Sequence, residues 1–103
     1  MNKLSYSRFQ ISWILVNELA IGRAPKHYKD AERLKKEGII SVLSLCHKDE
    51  VKLYDNIETD FSHRQIVLPD HKSGKYPTIL DINNALEALE KLKEIGPTFV
   101  HCV

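Results

Sequence analysis

The amino-acid sequence predicts an α/β fold in which helices flank a mostly parallel central sheet. Short segments rich in apolar and β-branched residues alternate with longer segments whose apolar residues recur once per helical turn. Residues 39–46 are nearly all apolar, which is typical of a strand buried on both faces of a parallel sheet. Because the chain has 103 residues, it is expected to form at most one domain.

Two strands and one helix are predicted before this buried strand. Residues 11–15 are short, apolar and β-branched, and residues 18–22 are expected to pair with them in a hairpin that turns at Asn17. Residues 27–37 predict a helix, because apolar residues recur at one-turn spacing, acidic residues come early and lysines come late. Gly38 is expected to end this helix.

The middle of the chain predicts shorter elements. Residues 49–56 are expected to form a short helix, and residues 65–68 a strand that ends at Pro69. Residues 70–76 are polar and contain a Ser-Gly pair, so they predict a loop.

A long second helix has the strongest signals. Thr78 precedes Asp81 by three positions, which approximates a capping box, and Gly96 followed by proline ends the helix. Residues 98–103 then predict a final strand. The helix carries an apolar stripe that is expected to pack in the core, formed by Ile82, Ala85, Leu86, Leu89 and Leu92.

The composition is that of an ordinary globular protein, with 43% hydrophobic and 28% charged residues. A net charge of +1 argues against a nucleic-acid partner. No apolar run reaches the length of a membrane span and no signal-peptide core is recognisable, so no membrane partner is expected. Two cysteines are too few for a disulfide framework, and a reducing, cytoplasmic location is therefore expected.

Reactive side chains gather where three of the predicted strands end. Cys46 ends the buried strand, and Asp70 follows the next strand. His101 and Cys102 end the last one. Ligands of open α/β sheets bind just beyond the carboxyl ends of the strands, so this convergence predicts a functional site at that sheet edge.

Segments along essentially the whole chain resemble a known family in the same order. They are residues 13–25, 34–39, 42–46, 68–74 and 99–102. The chain resembles the N-terminal part of a dual-specificity phosphatase domain of the cysteine-dependent phosphatase superfamily. The residues after Leu68 are similar to the acid loop of that family, and His101 and Cys102 match the first two positions of its signature, His-Cys-x5-Arg.

The resemblance implies a role for each strand-end residue. Cys102 is the thiolate nucleophile that attacks phosphorus, Asp70 is the general acid for the leaving oxygen, and His101 positions the thiol from behind. Cys46 is a candidate redox partner of Cys102, because both cysteines end strands at one sheet edge and some relatives have such a second cysteine. A plain buried strand residue is the alternative for Cys46. No cofactor and no metal are implied, and the expected substrate is a phosphorylated protein or another phosphate monoester.

The resemblance stops before the signature arginine. In the family, backbone N–H groups and that arginine hold the phosphate, whereas only Val103 follows Cys102 here. We therefore expect residues 1–103 to be a partial domain that lacks the C-terminal helices and has no meaningful activity alone. The sheet face that those helices would cover is expected to favour self-association.

Other interpretations stay open at the level of the sequence. The domain could be a non-catalytic interaction module, or the product of a pseudogene, and Asp70 could simply begin a turn. A metal site is disfavoured, because adjacent strand residues face opposite ways. Neither the Cys46-His47 pair nor the His101-Cys102 pair therefore chelates readily, and no Cys-x-x-Cys spacing occurs.

Overall fold

The computed structural model describes residues 9–69 and 74–103. In chain order this part of the chain contains β1 (Ile11–Leu15), β2 (Leu19–Gly22), α1 (Tyr28–Lys36), β3 (Ser41–Ser44), α2 (Ile57–Asp60), β4 (Ser62–Gln65), α3 (Ile79–Ile95) and β5 (Thr98–His101). The strands form one sheet in the order β1-β2-β5-β3-β4, in which only the β1–β2 pair is antiparallel. The predicted α/β fold with a mostly parallel sheet is confirmed.

The predicted hairpin is confirmed at the start of the sheet. Strands β1 and β2 pair from Ile11 opposite Gly22 to Leu15 opposite Leu19. Asn17 has a φ of 64° in the connecting turn, a left-handed conformation that asparagine adopts more readily than most residues. The hairpin therefore supplies the antiparallel edge of an otherwise parallel sheet.

Strand β5 lies in the middle of the sheet, parallel to β2 on one side and to β3 on the other. Phe99 is opposite both Ala20 and Val42, and all three side chains are fully buried. Gly22 is required beside this ring: a Cβ there would lie 2.8 Å from the Phe99 ring and 2.3 Å from the carbonyl oxygen of Gln10. The close approach of the hairpin to Phe99 depends on that missing side chain.

Two hydrophobic clusters cover the two faces of the sheet. Helices α1 and α2 cover one face and helix α3 covers part of the other, as alternate strand residues point to opposite sides. The larger cluster consists of Ala20, Ala31, Leu34, Ile39, Val42, Ile57, Phe61 and Phe99. The smaller one consists of Leu43, Ala88 and Leu92, with Leu45, Ile66, Leu89 and Val100 packed against it.

Helix α1 is confirmed, one residue shorter at each end than predicted. The carboxylate of Asp30 accepts hydrogen bonds from the backbone N–H groups of Lys26 and His27, at 3.0 and 3.1 Å. These bonds satisfy donors that have no partner within the first turn of a helix. After the last turn, Gly38 has a φ of 87°, the left-handed conformation in which glycine commonly follows a helix.

The prediction of a helix at residues 49–56 is wrong. This segment contains turns and irregular backbone, and the next helix is the single turn that begins at Ile57. The backbone N–H of Tyr54 donates instead to the carbonyl oxygen of Pro25 at 2.9 Å. Leu53 and Tyr54 also pack against the larger cluster, so tertiary contacts override a weak local helical pattern.

The strand predicted at residues 65–68 is displaced toward the N-terminus, because β4 is Ser62–Gln65. Backbone pairing nevertheless continues past the strand. The N–H of Ile66 donates to the carbonyl oxygen of Ser44 at 2.9 Å, and that of Leu68 donates to Leu45 at 3.0 Å. The chain thus remains close to β3 until it reaches the loop that follows.

Helix α3 is confirmed between its predicted ends, with Thr78 capping the N–H of Asp81 at 3.1 Å. Its predicted core stripe is only half right. Ile82 and Leu86 are 45% and 54% exposed, and Ala88, which the stripe omitted, is buried. The described part of the sheet lies mainly under one side of the helix, so the buried line runs through positions 85, 88 and 92.

Candidate active site

The carboxyl ends of β3 and β5 meet at one edge of the sheet because the strands are parallel neighbours. Cys46 lies just after β3, and Cys102 follows β5 directly. The N–H of Leu45 donates to the carbonyl oxygen of His101 at 3.0 Å, which ties the two strand ends together. The predicted convergence is therefore present for these two strands.

The two cysteines differ in exposure and environment. Cys102 is exposed, whereas Cys46 is 1% exposed and its thiol donates to the carbonyl oxygen of Cys102 at 3.6 Å. Burial raises the pKa of the Cys46 thiol, and the negative charge of a neighbouring Cys102 thiolate raises it further. The Cys102 thiol is thus accessible to solvent at the sheet edge, whereas the Cys46 thiol is buried and contacts the carbonyl group of Cys102.

His101 lies on the side of β5 opposite Cys102 and is 2% exposed. Its Nδ1 atom is 2.6 Å from the carbonyl oxygen of Cys102, and its ring stacks on that of Phe99 with the ring centroids 6.3 Å apart. Burial lowers the pKa of His101, so the neutral imidazole is favoured. The structure therefore brings His101 against the backbone of Cys102, behind the thiol.

Two residues at this site were not identified from the sequence. The hydroxyl of Ser44 lies 2.6 Å from Nε2 of His101 and 2.8 Å from Nε2 of His63. Ser44 is fully buried at the end of β3, and His63 lies in β4 opposite Val42. The available signal for Ser44 was a polar residue within the largely apolar segment 39–46, although Ser41 shares that feature. His63 could be found only from the register of β4 against β3.

The environment of His63 favours its neutral form. Its side chain is 6% exposed, and burial lowers the pKa of its imidazole. The carboxylate of Glu58, which is 3.8 Å from Nδ1 of His63, acts in the opposite direction. Glu58 is itself largely exposed, so water screens this attraction.

Gln65 supports the loop between β3 and the next element. Its side-chain amide donates to the carbonyl oxygen of Cys46 at 2.7 Å. The backbone that carries Cys46 is thus held from β4 as well as from β5. This hydrogen bond fixes the buried thiol with respect to the sheet edge.

Asp70, the predicted general acid, lies outside the described residues, as do the three residues that follow it. Among residues 9–69 and 74–103, no group of three or more His, Cys, Asp or Glu side chains is placed to hold a metal ion. In the same part of the chain, no helix is both long and apolar enough to cross a membrane.

Two comparisons with known proteins found relatives, while no protein-family model matches the chain. Over 91 residues, or 87% of its length, the chain is 29% identical to phosphatidylglycerophosphate phosphatase PTPMT2 of Arabidopsis thaliana, and it spans 40% of the length of that protein. A crystal structure of kinase associated phosphatase, with its catalytic-site cysteine substituted by serine, shares the fold. That match covers 93% of this chain and 65% of the other, with a TM-score of 0.68 and 20% identity.

The two relatives contribute different kinds of support. The solved structure establishes the shared fold, and the plant relative adds similarity in sequence. Both are phosphatases, as the strand-end residues of this chain predict. The chain therefore resembles one phosphatase in sequence and another in fold, which supports the predicted resemblance to cysteine-dependent phosphatases.

Proposed function

We propose that this chain is the N-terminal part of a dual-specificity or tyrosine-type protein phosphatase domain that hydrolyses phosphate monoesters. The observation that carries the proposal is the position of Cys102. Its side chain is exposed at the carboxyl end of the central strand, and its carbonyl oxygen accepts from the buried groups behind it. A nucleophile needs this combination of an accessible side chain and a fixed backbone.

The proposed reaction proceeds in two steps. The thiolate of Cys102 attacks phosphorus, a sulfur–phosphorus bond forms, and the ester oxygen–phosphorus bond breaks while Asp70 protonates the leaving oxygen. Water then attacks the cysteinyl-phosphate and gives a proton to the Asp70 carboxylate, while the sulfur–phosphorus bond breaks; this releases inorganic phosphate and restores the thiolate and the acid. No cofactor takes part in either step.

The phosphate itself needs more than residues 1–103 contain. A strong phosphate site has a nest of backbone N–H groups and an arginine that binds two oxygens at once, and no arginine follows Cys102 in this sequence. We propose that these groups are supplied by residues beyond Val103. The 103-residue chain alone is accordingly expected to show no turnover.

Trapping the covalent intermediate tests the proposed function. The chain, extended by the reading frame that follows Val103, is mixed with a generic aryl phosphate and quenched within one turnover. Peptide mass spectrometry is expected to find one phosphoryl group on Cys102 and none on Cys46. Turnover without a phosphocysteine, or phosphate on another residue, would contradict the mechanism.

The substrate class follows from phosphatase chemistry rather than from a pocket in the described residues. A phosphorylated protein is the proposed substrate, and we propose that this phosphatase acts in the cytoplasm. The name of the plant relative indicates a phosphorylated lipid for that protein, so phosphatidylglycerophosphate is the competing substrate to measure beside a phosphotyrosine peptide. A ratio of kcat/KM values that favours the lipid would replace the protein substrate by a lipid.

A disulfide between Cys46 and Cys102 is expected under oxidation. Peroxide converts the accessible Cys102 thiolate to a sulfenic acid, and the Cys46 thiol, held at the same peptide group, displaces water to form the disulfide. Intact-mass analysis after peroxide treatment should show the loss of two hydrogens, reversible by dithiothreitol. In Cys46→Ser the mass should instead rise by that of one oxygen atom, because the sulfenic acid on Cys102 has no second thiol to react with. Absence of the two-hydrogen loss at saturating peroxide would exclude the pair.

Exposed apolar side chains favour a second candidate function, a non-catalytic interaction module that self-associates. On α3, Ile79, Leu80, Leu86 and Ile95 are all more than half exposed, and Ile21 of β2 is 43% exposed. If these side chains form one contiguous patch, a second copy of the chain could cover it. Sedimentation velocity should reveal association that increases with concentration and weakens in Leu86→Glu. A single monomeric species at all concentrations would remove this candidate.

A further inference from the structure

Three hydrogen bonds connect β4 with the backbone of the proposed nucleophile. Nε2 of His63 is 2.8 Å from Oγ of Ser44, and the same oxygen is 2.6 Å from Nε2 of His101. Nδ1 of His101 is then 2.6 Å from the carbonyl oxygen of Cys102. The series begins at a surface cavity of about 300 Å³, which His63 and Glu58 help to line.

The chemistry of the groups fixes the direction of each bond. A carbonyl oxygen can only accept, so Nδ1 of His101 carries the proton. Nε2 of the neutral ring must then accept, and the Ser44 hydroxyl is its donor. The oxygen of Ser44 has used its one proton, so it accepts from Nε2–H of His63. Each of the three hydrogen bonds then joins one donor to one acceptor.

We propose that His63 and Ser44 are positioning residues that hold the His101 ring in the orientation in which it fixes the carbonyl group of Cys102. The purpose of this arrangement rests on the proposed function. A phosphate site needs N–H groups, rather than carbonyl oxygens, on the side where the anion binds. The carbonyl oxygen of Cys102 lies against the buried side chains of His101 and Cys46, and a carbonyl held there does not meet a bound anion.

Ser44 and His63 contribute in different ways. Without the Ser44 hydroxyl, Nε2 of His101 is a buried acceptor with no partner in this arrangement, which favours rotation of the ring and loss of the bond to Cys102. Without His63, the Ser44 hydroxyl loses the donor that sets its direction. The thiol of Cys46 remains as a second donor to the Cys102 carbonyl, at 3.6 Å.

Ring N–H protons of histidine give a direct measurement on the 103-residue chain. Long-range ¹H–¹⁵N correlation spectra, recorded above the usual histidine pKa, should show Nδ1–H for His101 and Nε2–H for His63. Ser44→Ala should accelerate solvent exchange of the His101 proton about tenfold, and His63→Phe about threefold. His63→Gln keeps a side-chain N–H donor and should leave the exchange rate unchanged. The matched control is His47→Phe, at an exposed histidine outside the series, which should also have no effect.

Two outcomes would contradict the proposal. One is the absence of a protected Nδ1–H on His101 in the unmodified chain. The other is an unchanged exchange rate of the His101 proton in His63→Phe, provided that the backbone amide signals of the sheet remain native. If Ser44→Ala does not fold, the pair His63→Phe and His63→Gln still decides the question. Phosphatase activity does not enter these measurements. If these ring protons are observed but the extended protein forms no phosphocysteine, the proposed function is refuted while the hydrogen-bond arrangement stands.

Discussion

Replacing Cys102 by serine is expected to reduce turnover of an aryl phosphate at least about 10⁴-fold in the extended protein, because removal of the nucleophile eliminates covalent catalysis. A serine hydroxyl at this position is not ionised near neutral pH, whereas a thiol is readily converted to a thiolate. The measurement is kcat at saturating substrate, with the fold of the variant checked by circular dichroism.

Cys46→Ser is the matched control for this experiment. It makes the same chemical change at a buried cysteine behind the sheet edge, and the proposed mechanism gives that thiol no part in the reaction. Turnover is expected to stay within about threefold of the unmodified protein, since one weak hydrogen bond to the Cys102 carbonyl is altered. Residual activity in Cys102→Ser together with loss in Cys46→Ser would move the nucleophile to Cys46.

Replacing Phe99 by alanine is expected to destabilise the fold by about 3–5 kcal/mol, the usual cost of removing a buried aromatic ring. Phe99 is fully buried in the central strand and also contacts the Phe9 ring at a centroid distance of 5.6 Å. For a domain of this size, such a loss is comparable with the whole free energy of unfolding. Urea denaturation followed by circular dichroism measures it.

Two controls separate core packing from strand propensity in the Phe99 experiment. Ile14→Ala also replaces a large strand residue by alanine, but its side chain is 57% exposed, so a loss below about 1 kcal/mol is expected. Phe99→Leu keeps much of the buried volume and should lose less than Phe99→Ala. Equal losses in Phe99→Ala and Ile14→Ala would show that the core does not depend on the ring.

The sequence was sufficient for the elements whose signals are strong and local. The capped helix ending at Gly96, the hairpin at Asn17 and the apolar strand before Cys46 combine side-chain periodicity with residues that suit only certain backbone angles. Their order implies a parallel sheet, and the reactive residues at the strand ends then imply a site at one edge.

The errors arose where distant contacts decide the conformation. The backbone N–H of Tyr54 donates to the carbonyl oxygen of Pro25, and its side chain packs against the larger cluster, which no local pattern reveals. The buried side of α3 depends on how far the sheet extends beneath it, so Ile82 and Leu86 could not be separated from Ala88 by spacing alone. A helical stripe shows that a helix has an apolar side, but not which part of that side is covered.

The candidate site shows the same division. His101 and Cys102 were identifiable because they are consecutive in the sequence and match a family signature. The contact between Ser44 and His63 depends on the register of β3 against β4, and that register could not be read from the sequence. Hydrogen-bonded positioning residues come from several strands, and so they are found only once the strands are aligned.

The position of β5 has a consequence for synthesis on the ribosome. Strand β5 follows every other described element in the chain, yet it separates the β1–β2 hairpin from the β3–β4 pair. During translation those two pairs can form, but among the described residues the sheet that joins them is completed only when Thr98–His101 has left the exit tunnel. The nascent chain therefore exposes the unpaired edges of β2 and β3 until β5 has emerged, a state that promotes aggregation and attracts chaperones.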